Sequence, residues 1–205
     1  MEKKWAVLIV LGLAQFLMVL DTSVMNVSIS QLVTDFNTEV TQIQTAITFY
    51  ALVMAAFMIT GGKLADVWGR RKTFAVGMIV YAAGSALTAA SWSVPTLILG
   101  WSVLEGIGAA LVLPAMVALI ADNYKGKDRA TAFGLIGGLA GAAVAISPIL
   151  GGWVTTNMSW RFVFAGEVVI VIVILVLIGL IANVKPERRP KIDWLGVILS
   201  GRVLH

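Results

Sequence analysis

Six long, nearly charge-free apolar runs divide this chain, and they set what it can become. They are Trp5–Ile29, Ile43–Leu64, Thr73–Ala90, Pro95–Ala121, Ala130–Val154 and Phe162–Val184. A helix needs about 20 such residues to cross a bilayer, where each backbone N–H and C=O must find its partner within the segment. The runs are continuously apolar rather than alternating, which argues against a β-barrel. Hydrophobic residues make up 59% of the 205, charged residues only 13%, and mean hydropathy is +0.93. That composition argues against a water-soluble domain. The expected fold is an all-α membrane protein of six transmembrane helices.

The connections between runs alternate in charge. One set carries Lys3, Lys4, Lys63, Arg70, Arg71, Lys72, Lys125, Lys127, Arg129, Lys185, Arg188, Arg189 and Lys191, which is 13 of the 15 cations. The opposite set carries Arg161, with Asp35 and Glu39. An excess of Lys and Arg marks the cytoplasmic side, so both termini and the Asp66 region are expected in the cytoplasm of a plasma (inner) membrane protein. Trp5 is an expected inner-interface anchor, and Trp92, Trp153 and Trp160 are expected outer ones. The net charge of +4 is therefore explained by topology, and no nucleic-acid partner is expected.

Several chemistries are excluded. The absence of cysteine rules out disulfides, thiolate metal sites and cysteine nucleophiles, and the one histidine is His205. No P-loop, H-E-x-x-H or nucleophile elbow occurs, so neither an enzyme nor a metal site is expected.

The sequence also repeats. Gly61-Gly62 over Gly151-Gly152, Arg71 over Arg161, and Phe74 over Phe164 coincide without a gap at an offset of 90 residues. That offset is three spans, and an odd number of spans inverts the copy, as a 3+3 inverted repeat requires.

Gly61 to Lys72 is expected to be a short basic loop opened by a glycine pair. Its Gly62, Leu64, Ala65, Asp66, Gly69, Arg70 and Arg71 resemble the G-x-L-a-D-r-x-G-r-[kr] signature between the second and third helices of major facilitator superfamily transporters, with Val67 in place of the usual cation. The resemblance implies a cytoplasmic latch in which Asp66 caps a helix end and Arg70 meets an acid at the end of the fourth span, Asp122. A plainer alternative is that the cations only orient the chain. Leu20-Asp21-Thr22-Ser23-Val24-Met25-Asn26-Val27 resembles the L-D-x-T-V-x-N-V stretch of the fourteen-helix drug:proton antiporter branch. Ser147-Pro148-Ile149-Leu150-Gly151-Gly152 is similar to that branch's G-P-x-x-G-G motif, with serine for the first glycine. Trp160-Arg161 with Phe164 resembles the W-R-x-x-F entry to the sixth helix.

Polar residues inside the runs are the expected functional sites, because lipid penalises them. Asp21 and Asn26 either serve proton coupling or form a structural pair near the interface. Glu105 lies about 15 Å into the fourth span at about 1.5 Å per residue. In the family's fourth-helix pattern the usual arginine falls on Ser102 and the usual glutamine on Glu105. Glu105 is expected either to couple protons or to bond Ser102 one turn away. Glu167 is either a cavity acid or an interfacial one. In the fifth run Gly137 and Gly141, followed by Pro148, Gly151 and Gly152, form an expected helix-packing motif.

Residues 1–184 are thus expected to form the six-helix bundle, 185–193 a cytoplasmic basic linker, and 194–205 the start of a truncated seventh helix. The resemblance implies the amino-terminal half of a multidrug exporter. It would be driven by the proton gradient without a cofactor and act on small hydrophobic or amphipathic substrates. Its partners would be the bilayer and a missing C-terminal half, or a second copy. A uniporter or symporter of another small solute and a non-transporting membrane scaffold are the alternatives.

Overall fold

A computed structural model describes residues 3–181 of the chain. The expected linker 185–193 and the seventh-helix segment 194–205 lie outside the described residues, as do 182–184 of the sixth run. The described residues form helices and turns, with no strand among them. In chain order the helices are α1 (Lys3–Val27), α2 (Ile29–Asp35), α3 (Val40–Trp68), α4 (Arg70–Ala89), α5 (Val94–Leu97), α6 (Gly106–Asn123), α7 (Gly126–Asn157) and α8 (Arg161–Leu177). A π-helical segment, Ile98–Glu105, joins α5 to α6, and a 3₁₀ turn, Ile178–Leu180, follows α8. Six helical spans are long and apolar enough to cross a membrane: α1, α3, α4, the α5–π–α6 rod, α7 and α8 with its 3₁₀ turn.

The basic stretch departs from expectation. Gly61-Gly62 does not end the second span; α3 runs on to Trp68, and Gly69 alone interrupts helix before α4 starts at Arg70. Gly69 has φ 96°, a backbone conformation that costs glycine nothing and other residues strain. Gly61 stays helical for a packing reason. A Cβ there would overlap the Ala110 carbonyl of α6, so glycine lets α3 and α6 touch backbone to backbone.

The first and fourth spans form the interior of the bundle, while α3, α7 and α8 leave most of their surface open. Small residues explain the central place of the fourth span. Gly108 lies against the Tyr81 backbone of α4, and Gly106 against Val53 of α3. On the other side α7 packs on α1 at Gly151, where an added Cβ would stand 2.6 Å from Val24 Cγ2. The buried positions of α7 are Ala132, Ile136, Ala143, Ser147, Gly151 and Thr155, one stripe at helical spacing.

The expected glycine motif is only partly a packing device. A Cβ added at Gly137, Gly141 or Gly152 would meet nothing within 4 Å, and Pro148 is exposed. Only Gly151 sits in a helix contact. Glycines in a row allow close approach without dictating which neighbour uses it, and α1 takes the adjacent stripe.

Two features close the side away from Gly69. Trp160, expected as an interface anchor, is fully buried and donates from Nε1 to Asp35 Oδ2 at 2.8 Å, with edge contacts to Phe36 and Phe164. Arg161 stacks over the Trp160 ring and donates to the Ala89 and Ser91 carbonyls at 2.8 and 2.5 Å. The Ala89 carbonyl ends α4 and that of Ser91 lies just beyond it, where a cation complements the helix dipole. Trp92 and Trp153 are strongly exposed.

Candidate functional site: a buried carboxylate cluster

Three acids from three spans converge. Asp21 of α1, Glu105 at the end of the π segment and Glu167 of α8 are all fully buried, and one carboxylate oxygen from each lies within 4.8 Å of the others. Their places along the helices explain why they meet. Asp21 stands six residues before the end of α1 and Glu167 six residues after the start of α8, so each lies about 9 Å from the same side of the bundle.

Each carboxylate is held by a single well-formed bond. Trp101 Nε1 donates to Asp21 Oδ1 at 2.7 Å, Thr88 Oγ1 to Glu105 Oε1 at 3.1 Å, and Ser85 Oγ to Glu167 Oε2 at 3.0 Å. The second oxygens, Asp21 Oδ2, Glu105 Oε2 and Glu167 Oε1, accept no such bond from the protein. Tyr81 Oη is fully buried too, lies against Asp21, and makes no well-formed hydrogen bond. Leaving a buried polar group unpaired costs about 1–3 kcal/mol, and more when it is charged. Four of them in one place make this the most polar and most demanding part of the described bundle.

The surrounding residues build that geometry. Gly84 lets Glu105 lie against α4, since a Cβ there would stand 2.5 Å from Glu105 Cγ. Gly100 does the same for Thr88, whose backbone nitrogen would be 2.8 Å from an added Cβ. Tyr50 stacks on Trp101 with ring centroids 4.5 Å apart, steadying the indole that holds Asp21. The π winding sends successive side chains to different neighbours: Trp101 to α1, Ser102 to α3 and Glu105 to α4. π segments inside helices are frequent at functional sites.

Some expected site residues do not join. Asn26 is exposed and donates to the Thr22 carbonyl of its own helix at 2.7 Å. Ser102 is buried but bonds the Ala46 carbonyl at 2.8 Å, so the Ser102–Glu105 pairing is not formed. Thr88 takes its place. Ser85, Thr88, Tyr81 and Trp101 were not singled out from sequence. Their one legible signal was Gly84-Ser85-x-x-Thr88, a small and polar face within an apolar run. The π segment has no sequence signal at all.

The second constellation lies at the opposite side. Arg70 forms an ion pair with Asp122 near the end of α6 and donates to the Ala118 carbonyl at 3.4 Å. Asp66 stands 4.0 Å from Arg70 but is 55% exposed, and bonds no helix end. Arg71 is half-buried in the first turn of α4, and a Cβ added at Gly62 would stand 3.8 Å from Pro114 Cβ.

Six membrane-crossing helices around a buried polar centre define an integral, multi-pass membrane protein. The chain belongs to the Major Facilitator Superfamily, whose sequence profile matches residues 11–197. It is 31% identical to the methylenomycin A resistance protein of Bacillus subtilis (strain 168) over 95% of this chain and 42% of that protein. It is 35% identical to the puromycin resistance protein pur8 of Streptomyces alboniger over 78% of this chain and 32% of that one. The riboflavin transporter RibZ of Clostridioides difficile (strain 630) is 28% identical over 97% of this chain and 44% of its own length. The fold matches a crystal structure of the peptide transporter POT in complex with sulfate, with a TM-score of 0.77, 18% identity, and coverage of 97% of this chain and 44% of that one. The chain spans about two-fifths of the length of such relatives.

Proposed function

We propose that this chain is one half of a proton-driven exporter of small hydrophobic or amphipathic compounds, working by alternating access, and that it is a transporter rather than an enzyme. The observation that carries this reading is the carboxylate cluster. Intramembrane acids are costly and rare, and where they occur they mark ion and proton pathways. Asp21, Glu105 and Glu167 come from three helices of one bundle, so a proton gained or lost by one changes the charge felt by the other two. The resistance proteins among the relatives support export as the direction. The proton gradient supplies the energy and no cofactor is required.

The cation distribution supports placing the termini and the Gly69 turn in the cytoplasm of the plasma membrane. The acid cluster then lies in the outer half of the membrane and the Arg70–Asp122 pair on the cytoplasmic side. Partners are the bilayer and a second six-helix half, or a second copy of this chain; nucleic acid is not among them. The open faces of α3 and α7 are where that half would sit, including the polar stripe Thr41, Gln44, Thr45 and Thr48 on α3. Gly61 against the fourth span and Gly151 against the first are equivalent contacts under a 3+3 inverted repeat, and support it. A second reading, transport of another small solute, draws on the riboflavin transporter among the relatives.

The test is Glu105→Gln in the complete transporter, reconstituted in proteoliposomes. Proton-driven export should be lost while energy-independent substrate exchange survives. Export that still follows the proton gradient would remove the cluster from coupling.

A further inference from the structure

The way the three carboxylates are held leaves a question that proton handling alone does not answer. Each acid has one oxygen fixed by one donor from outside the cluster, Trp101, Thr88 or Ser85, and one oxygen left free. Acids that only satisfied each other would need no such external holders. Hydrogen bonds that aim carboxylates at a common point are how proteins orient the ligands of a bound cation. A fourth oxygen, on a different residue type, adjoins the cluster: Tyr81 Oη is fully buried, lies against Asp21 and has no well-formed bond of its own.

We propose that Asp21, Glu105, Glu167 and Tyr81 form a binding site for a hard divalent cation, for which Ca²⁺, tolerant of irregular oxygen geometry, is the probe. The donor atoms are all oxygen, which selects hard cations over zinc or copper. Calcium takes oxygen ligands at about 2.3–2.6 Å in flexible geometry, whereas magnesium demands about 2.0–2.1 Å and near-ideal octahedra. Charge favours a divalent ion as well. Two positive charges offset two of three buried carboxylates; a monovalent ion would leave two uncompensated in a low-dielectric interior. This rests on the cluster being the ion-handling centre proposed above, and names an ion besides the proton.

The experiment is equilibrium binding of ⁴⁵Ca²⁺ to the purified chain in nanodiscs of zwitterionic lipid, with no transport required. One saturable site per chain is expected. Thr88→Val and Ser85→Ala, which leave every ligand in place, should each weaken binding about 10- to 100-fold. Tyr81→Phe should weaken it too, and Asp35→Asn, outside the cluster, should not. Variants are compared only as monodisperse species eluting with the unmodified chain, and these near-isosteric changes are chosen for that. The proposal is overturned by no saturable binding at millimolar Ca²⁺, by binding indifferent to Thr88, Ser85 and Tyr81, or by displacement with Na⁺ at equal concentration. Failure here with Glu105→Gln still abolishing proton-driven export would leave the coupling role standing. Calcium binding with export unaffected by Glu105→Gln would do the reverse.

Discussion

Arg70 meets two acids, and their settings differ enough to predict different costs. Asp122 has an 18% exposed side chain and forms a direct ion pair, whereas Asp66 is 55% exposed and 4.0 Å away. A charge-assisted bond contributes about 1.5–3 kcal/mol, and an exposed pair about 0.2–1 kcal/mol. Asp122→Asn should therefore lower the thermal unfolding temperature of the purified chain clearly, and Asp66→Asn scarcely. Equal effects would mean the Arg70–Asp122 pair has no special weight. In the complete transporter, losing the stronger bond should shift the balance of open states roughly tenfold or more, read as labelling of a cytoplasmic-side cysteine. The Arg70–Asp122 pairing was legible through the resemblance of the Gly62–Arg71 stretch to the family's loop signature, which implies an acid at the end of the fourth span. Asn26 was not placed correctly because five residues at about 100° each turn it some 140° from the Asp21 face.

At the scale of helices, glycine positions that look alike in sequence separate into two kinds. A Cβ added at Gly61 would run into the α6 backbone, and one added at Gly141 would meet nothing within 4 Å. Overpacking a filled site costs about 1–3 kcal/mol. Gly61→Val should destabilise the six-helix bundle by that amount, measured as loss of monodispersity on heating in detergent. Gly141→Val should leave the bundle unchanged yet impair assembly with a second half, measured by co-purification. A Gly141→Val chain as unstable as Gly61→Val would place the ridge inside the bundle. The π segment belongs to this scale as well. It lets one helix hold α1, α3 and α4 through Trp101, Ser102 and Glu105. No proline or glycine pair announces it; Pro95 lies before it and Pro114 after.

For the molecule as a whole, the open faces of α3 and α7 decide what the chain can do by itself. Thr41, Gln44, Thr45 and Thr48 form a polar stripe on the open face of α3, with the Thr45 and Thr48 hydroxyls bonded to carbonyls of their own helix. Alternating access in this fold rocks one six-helix half against another around a site between them. The chain alone in proteoliposomes should give no substrate flux under a proton gradient, and flux should appear when a complementary half is supplied. Robust flux from the chain alone, purified as a homodimer, would make it a self-sufficient half-transporter.

The six spans, the charge on each connection and the identity of the buried acids were determined by the sequence alone. The reason is that a bilayer judges each segment separately: about 20 apolar residues satisfy their own backbone, and an acid among them stands out whatever its neighbours do. Which acids meet was decided only by tertiary structure. In lipid an outward face is as apolar as an inward one, so a transmembrane helix carries little amphipathic pattern to reveal its rotation. Small residues set that rotation through contacts between distant segments: Gly61 with Ala110, Gly84 with Glu105, Gly100 with Thr88 and Gly151 with Val24. Those contacts, together with one stretch of π winding, bring Asp21, Glu105 and Glu167 to a single point.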